Sequence, residues 1–252
     1  MRFASLGSGS KGNATLVQAA GTCVMIDCGF SLRETEARLS RYGLEATQLD
    51  AILITHEHGD HVRGAGPLAR KYNIPLWTTR GTHGKAVLGV LPRLHYLDVH
   101  QGFEIQDLAI QTYPVPHDAQ EPCQFVFTDG QKRLGMLTDT GTITPYIETQ
   151  LDGCDALLLE CNHDLSMLEQ GPYPFSLKQR VAGRLGHLSN DQTAALLGVL
   201  DHPRLKHLVI AHLSEQNNTP ALACDSLAGT TGCERDWIKV ASQDTGFDWC
   251  EI

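Results

Sequence analysis

The sequence has little that would anchor it in a membrane or tie it together covalently. No apolar run approaches the ~18 residues that a membrane-spanning helix needs, so no transmembrane segment is expected. Residues 1–5 lead straight into a Gly/Ser loop without the apolar core of a secretory signal, which indicates a cytoplasmic location. The eight cysteines form no Cys-x-x-Cys pair and are expected to be reduced and buried, with Cys224 and Cys233 the best placed if a disulfide forms.

Positive charge and aromatic side chains are also scarce. The net charge is −9 and only 6% of residues are aromatic, which argues against a broadly basic nucleic-acid surface and against long base-stacking platforms. These numbers do not exclude a local group of basic residues around a site, and bound cations would cancel part of the acidic charge there. The arginines and lysines that could form such a group are Lys11, Arg63, Arg80, Lys85, Lys178, Arg180 and Arg184.

Composition and patterning predict a globular protein with its own core. The apolar fraction is 42% and the charged fraction 19%, and no repeat, low-complexity tract or Pro/Gly/Ser linker divides the chain. We therefore expect a single domain over residues 1–252. Strands in hairpins come first and strands alternating with helices follow, which predicts two sheets with helices packed outside them.

The individual elements follow from periodicity and turn residues. The predicted strands cover residues 3–6, 14–17, 23–26, 51–55, 76–79, 103–105, 108–113, 123–127, 133–138, 156–160 and 208–212. The predicted helices cover residues 31–42, 62–72 and 190–200. Ser31 should cap the first helix because Glu34 follows three residues later, and Gly43 should end it.

The run from His56 to His61, His-Glu-His-Gly-Asp-His, is the strongest chemical signal in the sequence. His56 and His58 lie two apart just beyond a predicted strand, so both can face one cavity. Asp60 and His61 follow through the flexible Gly59. Imidazole and carboxylate ligands together suit zinc, with manganese or iron as alternatives. The run predicts a metal-dependent hydrolase.

Further ligand candidates follow later strands. His117, Asp139 and His212 each come just after a predicted strand, as convergence on one sheet edge requires. Taken singly, each would more often be a surface or capping residue than a ligand. Taken with the run from 56 to 61, they provide enough ligands for a second metal ion.

This layout resembles the metallo-β-lactamase superfamily over nearly the whole chain, and T-H-x-H-x-D-H at 55–61 carries the resemblance. The resemblance implies an α/β fold, an αββα four-layer sandwich, with two divalent metal ions per chain. By the resemblance, one ion takes His56, His58 and His117, and the other takes Asp60, His61 and His212. Asp139 would bridge them, and Asp27 would support the histidine loop without binding metal. A water between two such cations becomes acidic enough to supply a hydroxide nucleophile near neutral pH.

Two residues outside the ligand set bear on the substrate. Glu160 ends a predicted strand, and His187 precedes a predicted helix. In tRNase Z-like phosphodiesterases, residues in corresponding places form a proton-shuttle pair, so His187 would protonate the leaving group while Glu160 orients it. Together with Asp60 they are the expected catalytic residues. The alternative is that Ser189 or Asn190 caps the helix and His187 is a surface residue.

Within the superfamily the sequence is most similar to the YycJ (WalJ) group of nucleases. The segments that carry this similarity are residues 8–13, 115–119, 160–164, 186–190 and 212–218. The similarity implies a cytoplasmic 5′-to-3′ exonuclease whose substrate is DNA rather than RNA. The chain has no room for the β-CASP insertion of larger relatives. The net negative charge does not explain how the protein would bind such a polymer.

The Gly/Ser loop near the N-terminus is open to two interpretations. Gly7-x-Gly9-x-x-Gly12 matches a dinucleotide-binding fingerprint, but a predicted strand follows it where that motif needs a helix. The loop is either a hairpin turn or a phosphate contact built from Ser8, Ser10, Lys11 and Asn13. His163 could support the site or contact substrate. Five other histidines have no further ligand candidates at a suitable spacing and are expected to be ordinary surface or core residues: His83, His95, His100, His202 and His207.

Two other functions stay open at this stage. The acidic surface would suit a small-molecule phosphodiesterase or a thioesterase similar to glyoxalase II, although the third motif here is Pro-His-Asp-Ala at 116–119. The third possibility is a non-catalytic module that kept the fold and binds only a metal or nucleic acid. The complete set of predicted ligands argues against it. The sequence does not predict an oligomeric state.

Overall fold

A computed structural model describes residues 1–252, with fourteen strands, nine α-helices and two short 3-10 turns. The strands are β1 (Arg2–Gly7), β2 (Ala14–Ala19), β3 (Thr22–Ile26), β4 (Ala51–Leu53), β5 (Leu76–Thr78), β6 (Leu94–Tyr96), β7 (Gly102–Ile105), β8 (Leu108–Pro114), β9 (Cys123–Thr128), β10 (Arg133–Leu137), β11 (Ala156–Glu160), β12 (His207–Ala211), β13 (Lys239–Val240) and β14 (Phe247–Glu251). The helices are α1 (Leu32–Arg41), α2 (Gly59–Val62), α3 (Ala65–Tyr72), α4 (Arg80–Lys85), α5 (Pro145–Leu151), α6 (Leu165–Gln170), α7 (Phe175–Val181), α8 (Asn190–Val199) and α9 (Pro220–Thr231).

The strands form two seven-stranded sheets with the same plan. The first has the order β14-β1-β2-β3-β4-β5-β6 and the second the order β13-β12-β11-β10-β9-β8-β7. In each sheet the hairpin strands pair antiparallel, and the strands that alternate with helices pair parallel. The predicted series of hairpins followed by alternating strands and helices therefore occurs twice.

Three apolar layers hold the sheets and helices together. The middle layer contains side chains of both sheets, such as Val24 and Leu53 from the first and Phe125 and Leu158 from the second. One outer layer joins the first sheet to α1 and α3, and the other joins the second sheet to α5, α8 and α9. Strands covered on both faces read as continuous apolar runs, as residues 156–159 do. The αββα four-layer sandwich is confirmed.

Helix ends follow local sequence signals, with one exception. The Ser31 hydroxyl accepts a hydrogen bond from the backbone N–H of Glu34, as predicted for the start of α1. The single helix predicted over 62–72 is wrong, because α2 ends at Val62 and α3 begins at Ala65. Gly64 explains the break: its N–H donates to Cys28 O, and a Cβ there would lie 2.1 Å from Phe30 O.

The parallel strands bring their carboxyl ends to one edge of the sandwich. Residues that follow β3, β4, β8, β10, β11 and β12 therefore meet there, although they are far apart in sequence. None of the helices is long and apolar enough to cross a membrane. All eight cysteines are free, including Cys224 and Cys233.

Two identical substitutions test the layered core. Phe125 is fully buried between the sheets, whereas Phe175 is 75% exposed on α7. We expect Phe125→Ala to lower the free energy of unfolding by about 3–5 kcal/mol, since it leaves a cavity in a close-packed core. Phe175→Ala should change it by less than about 0.5 kcal/mol. Urea unfolding followed by circular dichroism measures both, and equal losses would contradict this arrangement.

Candidate metal centre

Three histidines converge where β4 and β8 end. The Nε2 atom of His56 lies 3.0 Å from Nδ1 of His58, and Nε2 of His117 lies 3.3 Å from that same Nδ1. All three nitrogens fall within 4.8 Å of one another. His56 and His117 are buried, whereas His58 is partly exposed.

A second group lies beside the first. Nε2 of His61 is 3.5 Å from Asp60 Oδ2 and 3.6 Å from Asp139 Oδ2. Nε2 of His212 is 3.7 Å from Asp60 Oδ2 and 3.5 Å from Asp139 Oδ1. Asp139 also falls within ligand distance of His56, so its carboxylate lies between the two groups. The structure thus brings together all seven residues predicted as ligands.

The other ring nitrogen of most of these histidines has a fixed partner. Nδ1 of His61 is 2.8 Å from Asp27 Oδ2. Nδ1 of His117 is 3.0 Å from Gly186 O, and Nδ1 of His212 is 3.2 Å from Glu160 Oε1. A hydrogen bond donated from Nδ1 to an oxygen leaves the lone pair on Nε2, which faces the centre. Metal-binding histidines are held in this way by their outer partners.

Thr55 links the support of His56 to that of His61. Its hydroxyl lies 2.9 Å from Asp27 Oδ2 and 3.0 Å from Nδ1 of His56. Its backbone N–H donates to the other carboxylate oxygen of Asp27 at 2.9 Å. Asp27 therefore fixes two histidines, one directly and one through Thr55. Its predicted place behind the histidine loop agrees with this geometry.

Backbone strain is concentrated at the same centre. Asp27, Asp139 and His212 have φ values of 59°, 56° and 55°, and each follows the end of a strand. Residues other than glycine adopt this left-handed conformation rarely, and such strain clusters at functional sites. At each residue this conformation changes the direction of the chain after the strand, so that the side chain faces the edge of the sandwich where the candidate ligands meet.

The electrostatics favour positive charge in the middle of the centre. Burial alone would lower the pKa of His212, but Asp139, Asp60 and Glu160 outweigh it and raise the pKa to about 10. Burial likewise opposes charging of His61, yet its neighbouring carboxylates hold the pKa well above the ordinary value. For His56 burial prevails, and its pKa lies well below the ordinary value.

The donor set fits divalent cations. His212 Nε2 and Asp139 Oδ2 are buried without a hydrogen-bond partner. In the three-histidine group, three nitrogens face one another at distances where lone pairs repel unless a cation or proton lies between them. Mixed imidazole and carboxylate ligands suit zinc, manganese or iron. Four groups of His, Asp and Glu ligand atoms, the atoms of each group within 4.8 Å of one another, could hold such an ion.

Glu160 and His187 form a pair beside Asp139. Nδ1 of His187 is 2.8 Å from Glu160 Oε1, and Glu160 Oε2 accepts from the N–H groups of Thr140 and Leu188 at 3.2 Å. Burial would raise the pKa of Glu160, but His187 and His212 lower it to about 2. Glu160 is therefore an anion that holds the His187 ring in place. His187 itself is partly exposed and borders the cleft.

An open cleft of about 370 Å³ leads to the centre. Its wall contains groups from the metal centre and from α7 and the residues before it. The lining residues used below are Ser10, Asp118, Tyr173, Leu177, Arg180 and His187. Most of the residues that line the cleft are polar or charged, and only four are hydrophobic.

Of the predicted substrate contacts, only Ser10 borders this cleft. Ser8 and Asn13 are buried and bonded to each other at 3.2 Å; Ser8 Oγ also accepts from His212 N at 2.9 Å. Lys11 is exposed and paired with Glu215 at 2.7 Å. His163 is fully buried, burial lowers its pKa to about 4, and neither ring nitrogen has a partner. Ser8 and His163 thus do not border the cleft, whereas Asn13 Nδ2 lies 3.2 Å from His61 Nε2 and 3.4 Å from Asp60 Oδ2, at the centre itself.

Several residues of the site have little or no signal in the sequence. Thr55 could have been found, because it directly precedes the histidine run. Asn162, whose Nδ2 donates to His212 O at 3.0 Å, lies two residues after Glu160. Gly186 lies in the similar segment 186–190 but was given no role, and Tyr173 gave no signal, since only the tertiary fold brings it to the cleft.

A substitution behind the ligands tests the support of the centre. Asp27→Ala removes the partner of His61 and, through Thr55, that of His56, so we expect metal affinity to fall about 10- to 100-fold. Competition with a chromophoric chelator measures this. Asp50→Ala is the control, because Asp50 accepts from Cys23 N at the opposite end of β3. Equal affinities of Asp27→Ala and the control would contradict the assigned role.

Comparison with known proteins agrees with the geometry. Residues 22–212 match the family described as the β-lactamase superfamily domain. Exodeoxyribonuclease YycJ of Bacillus anthracis is 34% identical over 227 residues, which cover 88% of this chain and 86% of the relative. Exodeoxyribonuclease WalJ of Streptococcus pneumoniae serotype 2 is 34% identical over 229 residues, which cover 88% and 85%.

A solved structure extends the similarity to the fold. The metallo-β-lactamase fold protein YhfI from Bacillus subtilis superposes with a TM-score of 0.76 over 100% of this chain and 99% of its own, at 15% identity. The resemblance expected from the T-H-x-H-x-D-H motif is thereby confirmed. The chain belongs to the metallo-β-lactamase-fold superfamily, within the family of the YycJ and WalJ proteins.

Proposed function

We propose that this protein is a phosphodiesterase with two metal ions that degrades DNA as a 5′-to-3′ exonuclease. Its family makes it a metal-dependent hydrolase. The observation that carries the finer proposal is the juxtaposition of two ligand groups, which share Asp139, with the His187–Glu160 pair. The names of the two relatives support DNA as the polymer. The proposal takes residues 1–252 as one domain without a β-CASP insertion.

The chain's side chains divide the work of binding and proton transfer. His56, His58 and His117 would hold one divalent cation, Asp60, His61 and His212 the other, and Asp139 both. When bound, Zn²⁺, Mn²⁺ or Fe²⁺ would activate water for attack on phosphorus and stabilise the negative charge that develops there. Asp27 and Thr55 keep the ligand rings oriented.

His187 is placed to act on the leaving group. Its Nδ1 donates to Glu160, so its other nitrogen is free to carry a proton towards the cleft. The departing sugar hydroxyl of a phosphodiester is a poor leaving group unless it receives a proton. A thioester needs this help less, because a thiolate leaves readily. The pair therefore favours phosphodiesters over the thioester substrates of a glyoxalase II-like enzyme.

The central experiment compares substrates with the metal-loaded protein. The substrates are 5′-phosphorylated single-stranded DNA, duplex DNA, RNA, bis(4-nitrophenyl) phosphate and S-lactoylglutathione. We expect EDTA-sensitive release of nucleotides from the 5′ end of DNA, followed by gel analysis of end-labelled strands. Turnover of S-lactoylglutathione with DNA left intact would overturn the proposal in favour of a small-molecule hydrolase.

The proton-donor role predicts a dependence on the leaving group. His187→Ala should lower kcat for DNA by about 10²–10⁴-fold. It should affect bis(4-nitrophenyl) phosphate far less, since 4-nitrophenolate leaves without protonation. Glu160→Gln should show the same pattern more weakly. His100→Ala, at an exposed histidine outside the cleft, is the control. Equal losses on both substrates would contradict a proton-donor role for His187.

A further inference from the structure

One wall of the cleft carries positive charge in an otherwise acidic protein. Residues 170–190 contain Lys178, Arg180 and Arg184 and no aspartate or glutamate, whereas the whole chain has a net charge of −9. Among the residues that line the cleft, Arg180 is the only arginine or lysine. Its side chain is 61% exposed. Arg180 is thus a cation that a ligand in the cleft would meet.

The two faces of α7 are different. Leu177, Arg180 and Val181 line the cleft at i, i+3 and i+4 spacing, so they share one face. Phe175 and Lys178 line a separate apolar groove on the other side of the helix, against α6. No residue of α7 is buried. The helix therefore forms one side of the cleft, and the face that it turns to the cleft carries a single charged residue, Arg180.

Arg180 is held beside the metal centre by one carboxylate. Its Nε atom lies 2.5 Å from Asp118 Oδ2. The other oxygen of Asp118 lies 3.4 Å from Nε2 of His117 and 3.9 Å from Nε2 of His58. The guanidinium is thus separated from the ligand histidines only by the width of a carboxylate. A partly exposed ion pair of this kind stabilises the protein little, so little stability is lost when another anion replaces the carboxylate.

The backbone that follows Arg180 is fixed to the catalytic groups. Gly186 O accepts from His117 Nδ1, His187 N donates to Val181 O at 2.8 Å, and Asp118 N donates to Leu185 O at 3.0 Å. Gly186 lies so close to this turn that a Cβ would be 2.2 Å from Arg180 O. These hydrogen bonds, one of which also orients the His117 ring, fix the backbone around Arg180 relative to His117 and His187, which preorganises Arg180 for a ligand.

We propose that Arg180 is the residue that binds a backbone phosphate of the substrate strand next to the phosphate being cleaved, releasing Asp118 as it does so. This inference rests on the proposed function. Guanidinium binds phosphate through two parallel hydrogen bonds, which suits a planar side chain on a fixed backbone. Tyr173, on the same wall, offers a ring on which the adjoining base can stack. Arg180 thus provides a local positive charge for binding the strand in a protein whose net charge is negative.

The test separates binding of the strand from chemistry. We expect Arg180→Ala to raise KM for single-stranded DNA at least tenfold while kcat changes less than threefold. Turnover of bis(4-nitrophenyl) phosphate, which has no second phosphate, should stay within twofold of the wild type. The slope of log KM against log salt concentration should fall in magnitude by about 0.7, the value for one lost contact to a single strand. Arg180→Lys should recover part of the affinity.

Controls keep the two proposals separate. Arg204→Ala removes an equal charge at the opposite end of the second sheet, where Arg204 donates to Gly153 O, and should leave KM and the salt slope unchanged. If the wild type does not cleave DNA, the proposed function fails. If the wild type cleaves DNA and Arg180→Ala has the KM and slope of the wild type, Arg180 does not bind the strand. Equal losses on DNA and the aryl ester would also overturn the inference, since they indicate general damage to the site.

Discussion

The structure depends on the burial of carboxylates at the edge where the two sheets meet. Asp27, Asp139 and Glu160 are almost fully inaccessible, and a buried anion is costly unless partners offset its charge. Each one faces at least one imidazole: His61 for Asp27, His61 and His212 for Asp139, and His187 and His212 for Glu160. The partners come from both sheets, so the charges join the two halves.

The same constraint explains why the site lies where it does. Parallel strands end together, and their ends supply the points at which the chain can turn its side chains into a common space. Asp27, Asp139 and His212 make that turn through left-handed backbone conformations. Such strain persists only where the surroundings fix it, and the ladders of β3, β10 and β12 do so. The hydrogen-bonded strands thus hold these strained residues, and with them the candidate ligands, in place.

Sequence reasoning succeeded where the signal was local. The run from His56 to His61 and the residues directly after strands were identifiable because type and spacing are visible in one stretch. It failed where distant segments decide. Gly64 separates α2 from α3 because its N–H donates to Cys28 O and a side chain there would meet Phe30 O. Ser8 and Asn13 turn inward because their loop is bonded to His212 and Asp60. The short α7 has no buried face and so no periodic apolar pattern, which left its role as a cleft wall undetected.

The acidic composition and a polyanionic substrate are compatible once the field is considered locally. A surface of net negative charge repels nucleic acid everywhere except where cations reverse the sign, and screening confines each contribution to roughly 8–10 Å at physiological salt. Under the proposed function, the cations that a strand would meet in the cleft are the bound metal and Arg180, and a phosphate would take the place of Asp118 beside Arg180. Binding should therefore be weak away from the cleft and strong only for a strand whose phosphates reach both. Such a distribution favours contact with a short stretch of strand at the centre over contact along the length of a duplex.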